Sequence, residues 1–177
     1  AITEIHYHPQ SRGDGRNLEF IEIYNSQPWP EDLSGCRLSG AVDYLFPEGT
    51  LLDGGSYLVV AAVPEDVKTH YGLDSVSGPF EGALPNGGGT IRLRNRIDAI
   101  LLEVDYGDRD GWPISADGWG HSMVLARPSY GQGDVRSWFA SVAMEGSPGK
   151  ADPQLGDAYS GVVFNEVLAH TDDPILD

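Results

Sequence analysis

The chain has 177 residues, which suits one domain that buries about 70% of the surface of its unfolded chain, with little left for a second. Eleven Lys and Arg stand against 27 Asp and Glu, a formal net charge of −16, so nucleic acid and anionic membrane surfaces would be repelled. No stretch approaches the roughly 20 apolar residues of a membrane-spanning helix, and we expect no membrane insertion. The single cysteine, Cys36, excludes an internal disulfide and is expected to be a buried apolar side chain.

Short runs of alternating apolar and polar residues, separated by Gly, Pro, Asn and Asp, extend through most of the chain. Such alternation is typical of strands with one face in a core and the other in water. Seven runs share the pattern, at residues 2–7, 18–24, 35–39, 57–61, 90–94, 99–106 and 122–126. The chain is therefore predicted to be all-β, a sandwich of about seven to nine mostly antiparallel strands.

One segment, residues 64–72, is predicted to be a short helix. It begins with Pro64 followed by two acidic residues and ends at Gly72, which is the usual chemistry of the two helix ends. The glycines at 53–55 and 86–89 suit tight turns between antiparallel strands. Because the second of these runs leads into a strand and not a helix, it is not predicted to bind phosphate.

Residues 145–153 are polar and contain Gly and Pro, which is typical of a linker. We therefore predict a first domain at residues 1–153, and a linker with the first strand of a second, truncated module at residues 154–177. Residues 163–170 support the second module because they repeat the pattern of residues 1–8: an apolar residue, a polar residue, Glu, an aliphatic residue and, three positions on, His. A chance match between two short strands is the alternative.

Several short motifs, in a consistent order over about residues 1–150, resemble those of the lamin tail domain family. They are Ile2-x-Glu4-Ile5, Glu19-Phe20-Ile21-Glu22-Ile23-Tyr24-Asn25, Asp32-Leu33-Ser34-Gly35, Phe46-Pro47-x-Gly49-Thr50, Tyr57-Leu58-Val59-Val60-Ala61, Tyr71-Gly72, Gly78-Pro79-Phe80, Leu84-x-Asn86, Ile91-x-Leu93, Trp112-Pro113, Ala116-Asp117-Gly118-x-Gly120-x-Ser122, Trp138 and Gly146-Ser147-Pro148-Gly149. The family occurs in nuclear lamins and in bacterial exported proteins, and the resemblance implies its immunoglobulin-like β-sandwich. Cys36 departs from the family, which usually has a large aromatic residue there, so we expect Trp29 or Tyr44 to fill the space.

The resemblance, the acidity and the repeat indicate a non-catalytic binding or spacer module of a larger secreted or cell-surface bacterial protein. Its location is accordingly expected to be extracellular or at the cell surface. The expected partners are a protein, a glycan or a second copy of the chain. Self-association is expected through the segment from Val162 to Leu168, which would pair with a sheet edge. A carbohydrate-binding module and a metal-dependent hydrolase are the alternatives.

Aromatic side chains mark the candidate binding surface. In the strand at residues 18–24, the side chains that alternate with Ile21 and Ile23 would face away from the core and place a carboxylate between aromatic rings. Such a face suits a sugar or a protein partner, and a solvated sheet face is the alternative. Tryptophans in predicted loops form a second group. The candidate binding residues are Phe20, Glu22 and Tyr24 on the strand and Trp112 and Trp119 in the loops, with Trp29 and Tyr130 as further aromatics.

The loop at residues 105–117 carries aspartates near the spacing of a calcium-binding loop. The metal candidates are Asp108, Asp110 and Asp117. Tyr106 occupies the first ligand position and cannot coordinate, so a structural turn is the alternative. His6 and His8 have the spacing of two zinc ligands on one strand face, without an evident third ligand. No complete catalytic constellation is evident, so no catalytic residue is assigned and calcium is the one cofactor considered.

Overall fold

The computed structural model describes residues 1–153. This part of the chain contains twelve strands, one α-helix and three short 3₁₀ helices. No helix within it is both long and apolar enough to cross a membrane. The strands are β1 (Ile2–His6), β2 (Phe20–Tyr24), β3 (Glu31–Asp32), β4 (Arg37–Gly40), β5 (Val42–Leu45), β6 (Leu51–Leu52), β7 (Tyr57–Ala61), β8 (Glu81–Gly82), β9 (Gly88–Arg94), β10 (Ile100–Gly107), β11 (Met123–Leu125) and β12 (Trp138–Ala140); α1 spans Pro64–Tyr71, and the 3₁₀ helices span Ile114–Ala116, Pro128–Tyr130 and Val135–Ser137.

Two five-stranded antiparallel sheets form the body of the domain. The first sheet has the order β12-β11-β1-β2-β7 and the second has the order β10-β9-β4-β5-β8, while β3 and β6 form a separate two-stranded ladder. The predicted all-β, immunoglobulin-like sandwich is therefore confirmed. The strand count exceeds the expected seven to nine because β3, β6 and β8 have two residues each, too few to show alternation in the sequence.

The predicted helix is also confirmed, with the ends that the sequence indicates. Pro64 is the first residue of α1. Glu65 and Asp66 lie in its first turn, where negative side chains interact favourably with the helix dipole. Gly72 follows the last turn with a φ of 67°, a left-handed conformation, and its N–H donates to the Lys68 carbonyl.

The main core lies between the two sheets. Its buried side chains include Ile5 and Met123 from the first sheet and Leu38, Ile91 and Val104 from the second. These residues are the apolar members of the alternating runs, so the period-2 pattern places the inner faces correctly. Burial of this apolar area is the dominant contribution to the stability of the sandwich.

Cys36 is buried in this core, as expected for a free cysteine. Tyr44 packs against the core beside Phe46, with ring centroids 5.1 Å apart, and is one of the two aromatics expected to compensate for the small side chain of Cys36. Trp29 does not take that role, because 57% of its surface is exposed.

The outer face of the first sheet is covered at β1 and β2, which corrects the expectation of an exposed binding surface on β2. Phe20 is completely buried in a second apolar cluster with Val67 of α1, and its ring lies 5.9 Å from that of Tyr71. Glu22 is buried as well, and Tyr24 is half-buried against Tyr57. The sequence pattern fails here because it predicts which residues share a face, but not that distant segments cover that face.

Candidate functional site

An open groove in the connection between β10 and β11 is lined by aromatic side chains. Its walls are Trp112, Ile114, Ser115, Trp119 and His121, and its volume is about 630 Å³. Trp119 is 72% exposed and Ile114 is 74% exposed. Clustered large apolar side chains in contact with water are typical of surfaces that bind a partner. We call this feature the aromatic groove; it contains Trp112 and Trp119, the two loop tryptophans predicted to bind a partner.

The loop that carries the aromatic groove is fixed to the core. Ala116, in the 3₁₀ helix of the loop, is completely buried, and the half-buried Trp112 lies with its ring centroid 6.1 Å from that of Trp138. The His121 N–H donates to the Ser115 carbonyl over 3.3 Å and so closes the loop. A preordered loop loses little conformational entropy when a ligand binds.

A second anchor joins the same loop to the chain just after β1. The Nδ1 atom of His8 lies 2.6 Å from Oδ1 of Asp117, and the Gly118 N–H donates to the His8 carbonyl over 3.2 Å. Asp117, which the aspartate spacing predicts as a metal ligand, thus holds the loop in the structure.

The other two metal candidates take no part in this anchor. Asp108 forms an ion pair with the neighbouring Arg109, at 3.6 Å, and Asp110 is exposed with a φ of 56°. In the part of the chain that the structure describes, no three His, Cys, Asp or Glu side chains are grouped so that they could hold a metal ion. The structure therefore does not bring Asp108, Asp110 and Asp117 together, and calcium binding by this loop stays a prediction.

The two histidines of the β1 region have separate environments. His6 is completely buried, 5.6 Å from the Phe20 ring, and neither ring nitrogen has a hydrogen-bond partner. Burial lowers the pKa of His6 to about 4, so its imidazole is neutral at neutral pH. Since His8 is engaged by Asp117, the two do not form the paired zinc ligands considered from the sequence.

Two buried carboxyl groups form a further cluster on the outer face of the first sheet. Glu4 of β1 lies directly opposite Glu22 of β2 in the antiparallel register, and the two residues are 1% and 2% exposed. Burial raises the pKa of Glu4 to about 7. Burial first, and then the charge of Glu4, raise the pKa of Glu22 to about 8. The pair therefore retains protons at a pH at which exposed glutamates are ionised.

These carboxyl groups fasten residues 146–153, which we call the closing segment, to the first sheet. The Ser147 N–H donates to Oε1 of Glu4 over 2.9 Å. The Gly149 N–H donates to Oε2 of Glu22 over 2.7 Å. Residues that looked like a linker in the sequence are thus part of the folded domain.

Glu4 is not among the candidate binding residues predicted from the sequence, and Glu22 was predicted on an exposed face. A signal was nevertheless available. The motif Gly146-Ser147-Pro148-Gly149 belonged to the ordered set that carried the family resemblance, although a free linker has no need of a fixed motif. Its backbone N–H groups are the donors that the buried carboxyl groups require.

Comparison with known proteins identifies the family. The family model described as Lamin Tail Domain matches residues 1–108, which is more than half of the 177-residue chain. No curated protein and no solved structure shows a significant match. The family match agrees with the two-sheet architecture and with the motifs noted above. The chain therefore belongs to the lamin tail domain family, whose members are immunoglobulin-like, non-enzymatic domains.

Proposed function

We propose that this domain is a non-catalytic interaction module of a larger secreted or cell-surface bacterial protein, and that it binds a protein or glycan partner through the aromatic groove. The observation that carries the proposal is the pair of exposed side chains, Trp119 and Ile114, held on a loop that is anchored to the core. The non-enzymatic character of lamin tail domains in general supports a binding role over a catalytic one.

The chemistry of the aromatic groove suits a ligand with an apolar face and polar edges. Indole rings provide a large apolar surface at a small entropy cost, because a Trp side chain has only two rotatable bonds. Ser115 and His121 add hydrogen-bonding groups to the same walls. A sugar ring presents this combination of surfaces, and so does an amphipathic segment of a protein. A carbohydrate-binding role is therefore the more specific form of the proposal.

A glycan-array screen of the protein, with and without calcium, tests this proposal together with the predicted calcium dependence of the 105–117 loop. Trp119→Ala is expected to weaken binding to any positive glycan by at least about tenfold, as expected for the loss of an aromatic anchor. Trp29→Ala is the matched control, because Trp29 is also exposed but lies outside the groove.

Each outcome of the screen has a clear meaning. A glycan that Trp119→Ala loses and Trp29→Ala retains would support the aromatic groove as a glycan site. A glycan that both variants bind like the parent protein would contradict it. Silence with and without calcium would exclude the glycan form of the proposal and leave a protein partner or a spacer role.

Self-association is a second proposal, favoured by the position of β12 at the end of the first sheet. Within residues 1–153, β12 pairs with β11 alone, so one side of its backbone is open to a further strand. The predicted donor, from Val162 to Leu168, lies outside the described residues. Deletion of residues 160–177 is expected to convert a dimer into a monomer in light scattering. A dimer that survives the deletion, or a full chain that is already monomeric, would contradict this proposal.

A further inference from the structure

The Glu4–Glu22 pair places two acidic side chains where a folded domain would normally place apolar ones. Directly opposite residues in an antiparallel ladder have Cβ atoms about 5 Å apart, so the two carboxyl groups share one site. Both are almost completely buried, and two like charges in such a site repel each other strongly. The arrangement is stable if the pair keeps a proton.

The hydrogen bonds indicate which carboxyl group keeps that proton. Oε1 of Glu4 accepts from two donors, the Ser122 hydroxyl and the Ser147 N–H, which favours an ionised Glu4. Glu22 has one backbone donor, Gly149, and one hydroxyl neighbour, Thr3, at 2.8 Å from Oε1. Because a hydroxyl can accept as well as donate, a protonated Glu22 can donate to Thr3 while its second oxygen still accepts from Gly149.

We propose that Glu4 and Glu22 form a proton-dependent latch, in which the proton kept on Glu22 holds the closing segment against the first sheet and its loss loosens that segment. The two carboxyl groups accept hydrogen bonds from the backbone N–H groups of Ser147 and Gly149, so the pair attaches the closing segment at two points. A second charge in the buried site can be accommodated only if the segment moves and admits water.

Other titratable groups around the pair do not supply a compensating positive charge. Asp152 of the closing segment accepts from the Ser147 hydroxyl over 3.0 Å, and its charge opposes ionisation of Glu4. Tyr57 of β7 and Tyr71 of α1 also face the pair, and both are neutral phenols with raised pKa values. From β11, the residue opposite Glu4 is the apolar Val124. Lys150 lines the same groove as the two carboxyl groups, but it is exposed, so water screens its charge.

The latch would act on the surface next to it. A groove of about 370 Å³ is lined by Glu4 and Glu22, by residues 150–153 of the closing segment and by Phe139 of β12. Movement of the closing segment would therefore change both this groove and the point at which the chain leaves the domain. Because the pKa of Glu22 is raised from 4.5 to about 8 and that of Glu4 to about 7, the segment is held most firmly at mildly acidic pH and is released progressively as the pH rises to about 8.

NMR titration of the full chain tests the latch at two kinds of atoms. The ¹³C shift of the Glu22 side-chain carboxyl reports its protonation, and the protection factor of the Gly149 amide against hydrogen exchange reports the attachment of the closing segment. We expect Glu22 to titrate with a pKa near 8. The Gly149 protection factor should fall by up to roughly tenfold per pH unit between the ordinary value of 4.5 and about 8 and level off above that, because release of the segment is coupled to loss of one proton only in this range.

Glu22→Gln is the test variant, because its amide can donate to Thr3 and accept from Gly149 without a charge. Its Gly149 protection factor is expected to stay constant from mildly acidic to alkaline pH. Glu81→Gln is the matched control, since it removes one exposed carboxylate from β8 and should titrate like the parent protein.

Two results would overturn the proposal. One is titration of both Glu4 and Glu22 near the ordinary value of 4.5 in the parent protein, a measurement that does not depend on any variant folding. The other is the same loss of Gly149 protection with pH in Glu22→Gln as in the parent protein.

Discussion

Replacement of Gly146 by Ala is expected to destabilise the domain by roughly 3–4 kcal/mol. Gly146 has a φ of 96°, where a residue with a Cβ pays about 1–2 kcal/mol. The added Cβ would also collide with Oε1 of Glu4 and lie 2.9 Å from the Ser122 hydroxyl. The carboxyl group must then move and leave a buried hydrogen-bond partner unsatisfied, which costs about 1–3 kcal/mol. Urea unfolding at mildly acidic pH, followed by tryptophan fluorescence, measures the free energy of unfolding.

Gly49→Ala separates the backbone cost from the cost of the close contact. Gly49 has a φ of 83°, and a Cβ added there would meet no atom within 4 Å. This variant is expected to lose only the backbone contribution of about 1–2 kcal/mol. The conclusion that Glu4 requires glycine at position 146 would be refuted if the two variants lost the same free energy, within about 0.5 kcal/mol.

Two further predictions concern the β1 region and the extent of the domain. The pKa of His6 is lowered from 6.5 to about 4, so the stability that its neutral form contributes is complete above pH 6.5 and is lost as the pH falls through about 4. The free energy of unfolding, measured between pH 7 and pH 3.5, should fall by an extra amount on the order of 3 kcal/mol in the parent protein compared with His6→Leu. Equal loss of stability in the two proteins would contradict the lowered pKa of His6. A chain cut after residue 108 is expected to be unfolded by circular dichroism, whereas residues 1–153 should fold, because the shorter chain lacks β11, β12 and the closing segment.

The inner faces of the strands could be predicted from the sequence because they depend on local alternation. In β10, Val104 and Tyr106 are buried while Glu103 and Asp105 are exposed, as the run at residues 99–106 indicates. The short helix could likewise be predicted from Pro64 and Gly72, because the residues that begin and end a helix act locally.

The outer face of the first sheet could not be predicted in this way. The residues that cover Phe20 belong to α1, more than 40 positions along the chain, and those that cover Glu22 include Gly149, 127 positions away. Nothing in the local pattern of β2 distinguishes a face that meets water from a face that meets such a segment. The aromatic groove was predictable only in part: the tryptophans could be selected, but the anchoring of their loop by His8 and Ala116 required the fold.

β1 connects the closing segment, the α1 cluster and the aromatic loop. Every second residue from Glu4 to His8 points to the outer face of the first sheet, and each of the three contacts a different one of these segments. Glu4 accepts from the closing segment, His6 packs against Phe20 beside the α1 cluster, and His8 holds Asp117 of the aromatic loop. The spacing of two residues sets all three contacts at once, since a shift of one position would turn each side chain to the inner face. β1 also lies between β2 and β11, so residues beyond the family match at 108 complete its hydrogen bonding. The folded unit therefore includes residues 109–153, and the groove and the latch are both built where that later part of the chain meets β1.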